Sequence, residues 1–156
     1  MGKMSRTKGS NFERFIAKDL SMKFYKDQDS LRRTPLSGGW SSKYVGGDIC
    51  GPESFPLYVE CRNREVWKAS DLFDENSVLF KWYAETKQKA KELGKEGVLI
   101  FTRNYEKIYI MTRVLVDNVY PHIMIRHAHK AVCIYEFDKW LSIIELSQIM
   151  PHIEGT

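Results

Sequence analysis

The segment from residue 46 to 62 constrains the fold of this 156-residue chain more than any other. Strand-forming residues occupy 46–50 and 57–62, and the segment between them is rich in Gly and Pro, which favours a turn. The pattern therefore predicts two β-strands joined by a turn. Because side chains alternate along a strand, Glu60 and Arg62 are expected on one face, with their Cα atoms roughly 6–7 Å apart.

An acidic residue, Asp48, closes the first of these strands and can meet Glu60 and Arg62 if the two strands pair. Two carboxylates that converge beside a cation form a site for a hard divalent metal ion and a phosphate group. The pattern Asp48…Glu60-Cys61-Arg62 resembles the PD-(D/E)XK nuclease superfamily, whose signature is an Asp followed by Glu-x-Lys on the next strand. Here Arg62 stands where the superfamily usually has Lys.

The remaining elements predict an α/β fold with a mixed central sheet flanked by helices. Apolar residues at helical spacing predict one helix from about 11 to 24 and another from 78 to 93, which ends at Gly94. Further strands are predicted at 98–101, 107–111 and 132–137, and a short last helix at 139–146. Within 112–131 only residues 114–116 are a candidate for a short further element, and the rest of this segment is left unassigned. The resemblance implies a restriction-endonuclease-like core for this arrangement.

Length and composition indicate a single domain, residues 1–156, with 43% hydrophobic and 28% charged residues, as in soluble globular proteins. No apolar run approaches the roughly 18 residues that span a membrane. The amino terminus lacks the apolar core of a signal peptide, so we expect a cytoplasmic protein, or one of the host cytoplasm if it is virus-encoded. Three cysteines are too few and too scattered for a disulfide framework.

Positive charge is concentrated at the amino-terminal end of the chain. Residues 1–33 contain nine Lys or Arg and four Asp or Glu, whereas the remainder contains 15 and 16. A basic segment on a near-neutral body is typical of a protein that binds a polyanion. We expect residues 1–9 to form a basic arm, although a solvated tail would have the same composition.

Two segments of this basic region have features of phosphate binding. Lys8-Gly9 precedes the predicted helix, where free backbone N–H groups can face a phosphate. Arg32-Arg33 precedes a Ser-Gly-Gly loop, which brings guanidinium groups close to backbone amides. The loop could equally be only a turn. Likewise Glu13, in the first helical turn, could serve only to complement the helix dipole.

Four motifs between residues 8 and 62 together resemble the archaeal-type Holliday junction resolvases, a branch also found in viruses. The motifs are Lys8-Gly9-x-x-x-Glu13-Arg14, Arg33-x-Pro35-x-Ser37-Gly38-Gly39, Gly47-Asp48-Ile49 and Val59-Glu60-Cys61-Arg62. The resemblance implies that Glu13, Asp48 and Glu60 gather Mg²⁺ or Mn²⁺, with the Cys61 carbonyl as a further ligand. It also implies contacts to the DNA backbone. The residues expected there are Lys8, Arg14, Arg32, Arg33, Ser37, Gly38 and Arg64.

Arg62 departs from the family pattern. Arginine can stabilise the charge of a phosphate transition state, but it does not give up a proton to act as a general base. The expected catalytic set is therefore Glu13, Asp48, Glu60 and Arg62, with Arg62 acting as a fixed charge. Other cations could take that position; they are Arg64, Lys68, Lys81 and Lys87.

The sequence thus predicts a magnesium-dependent, structure-selective endonuclease that resolves four-way DNA junctions. A four-way junction has two equivalent scissile strands, so a homodimer is expected. Two alternatives stay open. One is a nuclease of the same superfamily that acts on flaps or ends. The other is a branched-DNA-binding protein that has the fold but does not cleave, for which Arg62 is the motivating residue.

Overall fold

The structure is a computed structural model that describes residues 3–35, 45–104, 106–116, 120–127 and 130–154. The helices are α1 (Lys3–Tyr25), α2 (Val78–Glu92), α3 (Phe137–Ile143) and α4 (Leu146–Glu154). The strands are β1 (Arg32–Arg33), β2 (Val45–Gly46), β3 (Ile49–Cys50), β4 (Leu57–Asn63), β5 (Glu96–Thr102), β6 (Tyr109–Thr112), β7 (His122–His127) and β8 (Lys130–Glu136). A 3₁₀ turn, Ala69–Phe73, precedes α2.

A five-stranded mixed sheet in the order β4-β5-β6-β8-β7 forms the centre of the molecule. Strands β4 and β5 are parallel, with Glu60 opposite Leu99, and the other pairs are antiparallel. Parallel neighbours need a long crossover, and α2 supplies it between β4 and β5. A small sheet, β1-β3-β2, lies beside the β4 edge. The predicted α/β fold with a mixed sheet flanked by helices is confirmed.

The sheet is covered by helices on both faces. Helices α1 and α3 contribute Ile16, Leu20 and Trp140, all fully buried, to a core that includes Val59 of β4. On the other face, Leu79 and other residues of α2 pack against a second apolar cluster. Every residue of β5 is buried, as expected for a central strand covered on both faces.

The alternation predicted for β4 is confirmed. Leu57, Val59 and Cys61 all belong to the core on the α1 side of the sheet. The intervening side chains therefore face the α2 side, and the guanidinium of Arg62 lies over the ring of Trp82 in α2. This pattern places Glu60 and Arg62 together on one face, at the edge of the sheet.

Helix α1 begins at Lys3, two turns earlier than predicted. Lys8 and Gly9 lie inside it, so the prediction that their backbone N–H groups are free to bind a phosphate is wrong. A Cβ at Gly9 would meet no atom within 4 Å, so tertiary packing does not require this glycine. The helix continues through it because extending an existing helix is easier than starting one. Residues 3–9 of the predicted basic arm are thus helical.

The first predicted strand, 46–50, is a tight hairpin instead. Gly46 pairs with Ile49, so Gly47 and Asp48 are the two turn residues between β2 and β3. Gly47 has a φ of +84°, which a glycine adopts without strain, and a Cβ there would meet the Val59 carbonyl oxygen. Asp48 therefore projects from the tip of a hairpin rather than from the end of a strand.

Most of the carboxyl-terminal half follows the prediction. Helix α2 ends at Glu92, and Gly94 has the positive φ of +63° that often follows a helix. Two elements were not predicted, namely the edge strand β7 within 112–131 and helix α4. In the part of the chain that the structure describes, no helix is long and apolar enough to cross a membrane.

Candidate active site

Three backbone-anchored contacts fix the position of Asp48. Its N–H donates to the Val59 carbonyl at 2.8 Å, and its carbonyl accepts from the Thr34 N–H at 2.8 Å. Its side-chain Oδ2 accepts a hydrogen bond from the Cys61 N–H at 2.8 Å. The hairpin is therefore held against the outer edge of β4. This arrangement brings Asp48 to Glu60 and Arg62, as the sequence predicted, but through a turn.

Glu60 and Arg62 complete the centre of the site. Glu60 is only 8% exposed, and its Oε1 is paired with Nη1 of Arg62. The same Nη1 donates to the Cys61 carbonyl at 3.2 Å and lies 3.9 Å from Oδ2 of Asp48. One nitrogen of the arginine thus contacts oxygens of three of the four residues that the resemblance implies as metal ligands, and the fourth is Glu13.

The charged form of Asp48 is disfavoured at its position in the site. Burial raises the pKa of Asp48 to about 7, and the charges of Glu60 and Glu13 add to this effect. The hydrogen bond from Cys61 and the charge of Arg62 act in the opposite direction but do not cancel it. A carboxylate held in this way binds a proton or another cation readily.

Glu13 reaches the site from α1, on the other face of the sheet. It is near enough for its charge to raise the pKa of Asp48, but its Oε2 is paired with Nε of Arg33. Among the described residues, no three His, Cys, Asp or Glu side chains are grouped closely enough to hold a metal ion. Glu13 therefore lies beside the Asp48–Glu60 pair without forming one cluster with it.

The donor set at the centre of the site fits a hard cation. Asp48 and Glu60 each supply a carboxylate, and Cys61 supplies a main-chain carbonyl, so all three groups offer oxygen. Mg²⁺ and Mn²⁺ prefer oxygen ligands, and the position is already one where a cationic group makes contact. The buried thiol of Cys61 points into the apolar core, so only its carbonyl qualifies as a ligand.

The residues predicted to contact DNA are dispersed around this centre. Nζ of Lys8, in α1, lies 3.7 Å from Oε1 of Glu65. Glu65 adjoins the exposed Arg64, which follows β4. Arg14 is exposed and donates to the Asn11 side chain. The amino-terminal part of α1 thus lies beside the carboxyl-terminal end of β4.

The two arginines of β1 have different surroundings. Arg32 is exposed, and its Nε donates to the Asp29 carbonyl, whereas Arg33 is mostly buried in its pair with Glu13. Arg33 would have to leave Glu13 to bind a phosphate fully. Ser37 and Gly38 lie outside the described residues.

Trp82 and Thr34 belong to the site but were not predicted. The ring of Trp82 lies 5.7 Å from the Arg62 guanidinium carbon. Thr34 donates from Oγ1 to the Gly47 carbonyl at 2.9 Å and so supports the hairpin that carries Asp48. The sequence favours a core position for Trp82 over a surface on which bases stack. Thr34 occupies an unspecified position of the motif that contains Arg33 and Pro35, so the motif gave no signal for it.

The alternative cations lie elsewhere in the described part of the chain. Lys87 lies over the ring of Tyr83, and the backbone N–H of Lys68 donates to the side chain of Asp71. Arg64 and Lys81 are exposed. Arg62 is therefore the cation that the structure places on Asp48 and Glu60.

The chain is similar to a known protein family. The model of a family described as "Phage putative PDDEXK endonuclease" matches residues 4–151, nearly the whole chain. No curated protein and no solved structure matches the chain. The family match covers all the residues of the site described above.

Proposed function

This chain belongs to the phage PDDEXK endonuclease family, and we propose that it is a metal-dependent nuclease that resolves four-way DNA junctions. The family supports nuclease activity of the PD-(D/E)XK type. The choice of metal, the branched substrate and the roles of individual residues are our proposal.

One observation carries the proposal. Oxygens of Asp48, Glu60 and Cys61 converge on a single cationic nitrogen at the edge of the sheet. Bound at these oxygens, Mg²⁺ or Mn²⁺ would lower the pKa of a water molecule and neutralise charge on the scissile phosphate. In this proposal Asp48, Glu60 and the Cys61 carbonyl hold the metal ion.

The other residues of the site act on the phosphate and the DNA. Arg62 places a permanent positive charge where the phosphate would develop negative charge, a role worth about 10²–10³ in rate for one preorganised donor. Glu13 adds negative charge beside Asp48 and thereby favours cation binding. Further cations contact the DNA backbone. They are Lys8, Arg14, Arg32 and Arg64, with Arg33, Ser37 and Gly38 completing the proposed surface.

Two features support a four-way junction as the substrate. Four motifs in residues 8–62 together resemble those of the archaeal-type junction resolvases. The excess of positive charge in residues 1–33 suits a substrate recognised mainly through its phosphates. A homodimer would present two equivalent sites to the two equivalent strands of such a junction.

The test compares labelled DNA of three shapes, a four-way junction, a flap and a linear duplex, with and without Mg²⁺. We expect paired nicks in the junction, only with Mg²⁺, and little cleavage of the linear duplex. If the flap is cleaved in preference to the junction, the substrate is a different branched DNA, and the proposal of a four-way junction is wrong. Tight junction binding without any product, in either Mg²⁺ or Mn²⁺, would instead favour the non-cleaving binding protein.

A further inference from the structure

Arg62 contacts all three of the oxygens that the proposed function assigns to a metal ion. Its Nη1 is paired with Oε1 of Glu60, donates to the Cys61 carbonyl at 3.2 Å and lies 3.9 Å from Oδ2 of Asp48. The guanidinium therefore lies at the position where these oxygens converge. A residue that only faced a phosphate would not need to contact any of them.

A divalent ion cannot bind these oxygens while the guanidinium stays. A guanidinium and a divalent cation a few ångströms apart repel each other even at the effective dielectric constant of a protein surface. The metal ion would also need the same lone pairs. Binding of one cation thus excludes the other.

We propose that Arg62 is a displaceable internal cation, which holds Asp48, Glu60 and the Cys61 carbonyl until a divalent metal ion expels it. The expelled guanidinium then becomes the contact for the phosphate. This second step rests on the proposed function, whereas the competition between arginine and metal ion does not depend on any cleavage.

The surroundings of Arg62 allow such a movement. Its side chain is 28% exposed, so a path to solvent exists from the carboxylates. The ring of Trp82 lies 5.7 Å from the guanidinium carbon and offers a surface on which the group can rest in either position. Trp82 is in this view a positioning residue that keeps the arginine near the site after its displacement.

Arginine suits this role better than the lysine usual in the superfamily. Its planar guanidinium has several donors and contacts several oxygens at once, whereas a lysine ammonium is a compact point charge. The arginine also offsets the repulsion between Asp48 and Glu60 when no metal ion is bound. The consequence is a metal affinity lower than the two carboxylates alone would give.

The experiment measures Mn²⁺ binding to the full-length protein by calorimetry, without DNA. Arg62→Met removes the charge but keeps an unbranched apolar stem, and we expect it to bind Mn²⁺ about tenfold more tightly, a gain of about 1.4 kcal/mol. Arg62→Lys should lie between this variant and the wild type. The matched control is Arg64→Met, which removes the same charge two residues away and should change the affinity by less than about twofold.

Thermal melts give a second readout, independent of activity. Without metal, Arg62→Met should melt below the wild type because Asp48 and Glu60 repel each other, and saturating Mn²⁺ should raise its melting temperature by more than that of the wild type. The inference would be overturned if Arg62→Met and the wild type bound Mn²⁺ with equal affinity. It would also be overturned if Arg64→Met gained as much Mn²⁺ affinity as Arg62→Met.

The same titrations separate this inference from the proposed function. In one outcome the wild type binds Mn²⁺, Glu60→Gln does not, and Arg62→Met binds it no more tightly than the wild type. This outcome would overturn the inference and leave the proposed metal site intact. Absence of Mn²⁺ binding in both the wild type and Arg62→Met would overturn the metal site itself, and the inference with it.

Discussion

At the scale of single residues, Asp48 is a carboxyl group of the site whose charged form is disfavoured by its surroundings. Burial and the neighbouring charge of Glu60 raise the pKa of Asp48 to about 7, far above its ordinary value of 3.8. In the folded protein Asp48 therefore keeps a proton that the unfolded chain releases between about pH 4 and pH 7. Because the folded state binds the proton more tightly, the contribution of Asp48 to stability falls as the pH rises through this range.

Asp48→Asn should accordingly stabilise the metal-free protein at high pH. The asparagine can still accept the Cys61 N–H bond, and it carries no charge to be repelled by Glu60. We expect its melting temperature in EDTA to exceed that of the wild type at pH 8.5, by about 2–4 °C for each kcal/mol gained. At pH 5 the difference in melting temperature between Asp48→Asn and the wild type should be smaller. A variant that melts lower than the wild type at pH 8.5 would contradict this account of Asp48.

Arg62 gives a second prediction at this scale, on cleavage rate. Arg62→Lys should cleave at a rate similar to the wild type, because a cation remains at the position where the superfamily usually has lysine. Arg62→Ala should lose about 10²–10³ in rate while DNA binding changes little, since many phosphates share the attraction of the ground state. Single-turnover cleavage and binding assays measure both. Rapid cleavage by Arg62→Ala would assign the charge to another residue.

At the scale of elements, the β2–β3 hairpin carries Asp48 to the edge of β4. Gly47 is the residue that makes this possible, because of its φ of +84° and its close approach to Val59. Gly47→Ala should lower the free energy of unfolding by about 1–3 kcal/mol and displace Asp48. Gly9→Ala is the control, since a Cβ there meets no atom within 4 Å and helix propensity favours alanine by about 1 kcal/mol.

In denaturant unfolding, the free energy of unfolding should therefore fall in Gly47→Ala and rise in Gly9→Ala, relative to the wild type. Cleavage should fall in Gly47→Ala even under conditions where the variant is folded. If Gly47→Ala were as stable and as active as the wild type, the hairpin would not position Asp48 in the way described here.

Strand β1 allows a test of the DNA surface. Arg32 is exposed, whereas Arg33 is engaged with Glu13. Arg32→Gln should reduce the slope of log K against log salt by about one, the value for one lost phosphate contact. Arg33→Gln should reduce it by less, because Glu13 already neutralises much of its charge. Equal reductions would mean that Arg33 leaves Glu13 when DNA binds.

The elements also show what the sequence could and could not predict. The alternation of β4 was predictable because a buried strand has a fixed period of two, and the end of α2 was predictable from Gly94. The tight turn at Gly47-Asp48 had a local signal, because this dipeptide is typical of two-residue hairpins. Its docking on β4 was not predictable, because that depends on a bridge between Gly47 and Val59, which are distant in sequence. Pairing of Arg33 with Glu13, 20 residues away, was hidden for the same reason.

At the scale of the whole molecule, the site is assembled by the sheet edge rather than by any one element. Helix α1 brings Glu13, the hairpin brings Asp48, β4 brings Glu60 and Arg62, and α2 brings a ring for the arginine. The β4–β5 parallel pair and its α2 crossover hold these parts in register. The edge strand β7, at the opposite side of the sheet, contributes none of them among the described residues.

The proposed reaction depends above all on the carboxylate of Glu60, and one measurement tests this dependence directly. Glu60→Gln keeps the shape of the side chain and removes the charge proposed to hold a metal ion, while the Cys61 hydrogen bond to Asp48 stays in place. The measurement is single-turnover cleavage of a labelled four-way junction in Mg²⁺, beside junction binding by the same protein. We predict that cleavage is lost while binding stays within a few-fold of the wild type or strengthens, because a negative charge near the phosphate has been removed. Cleavage at a rate near that of the wild type would contradict the central claim that this site performs the reaction.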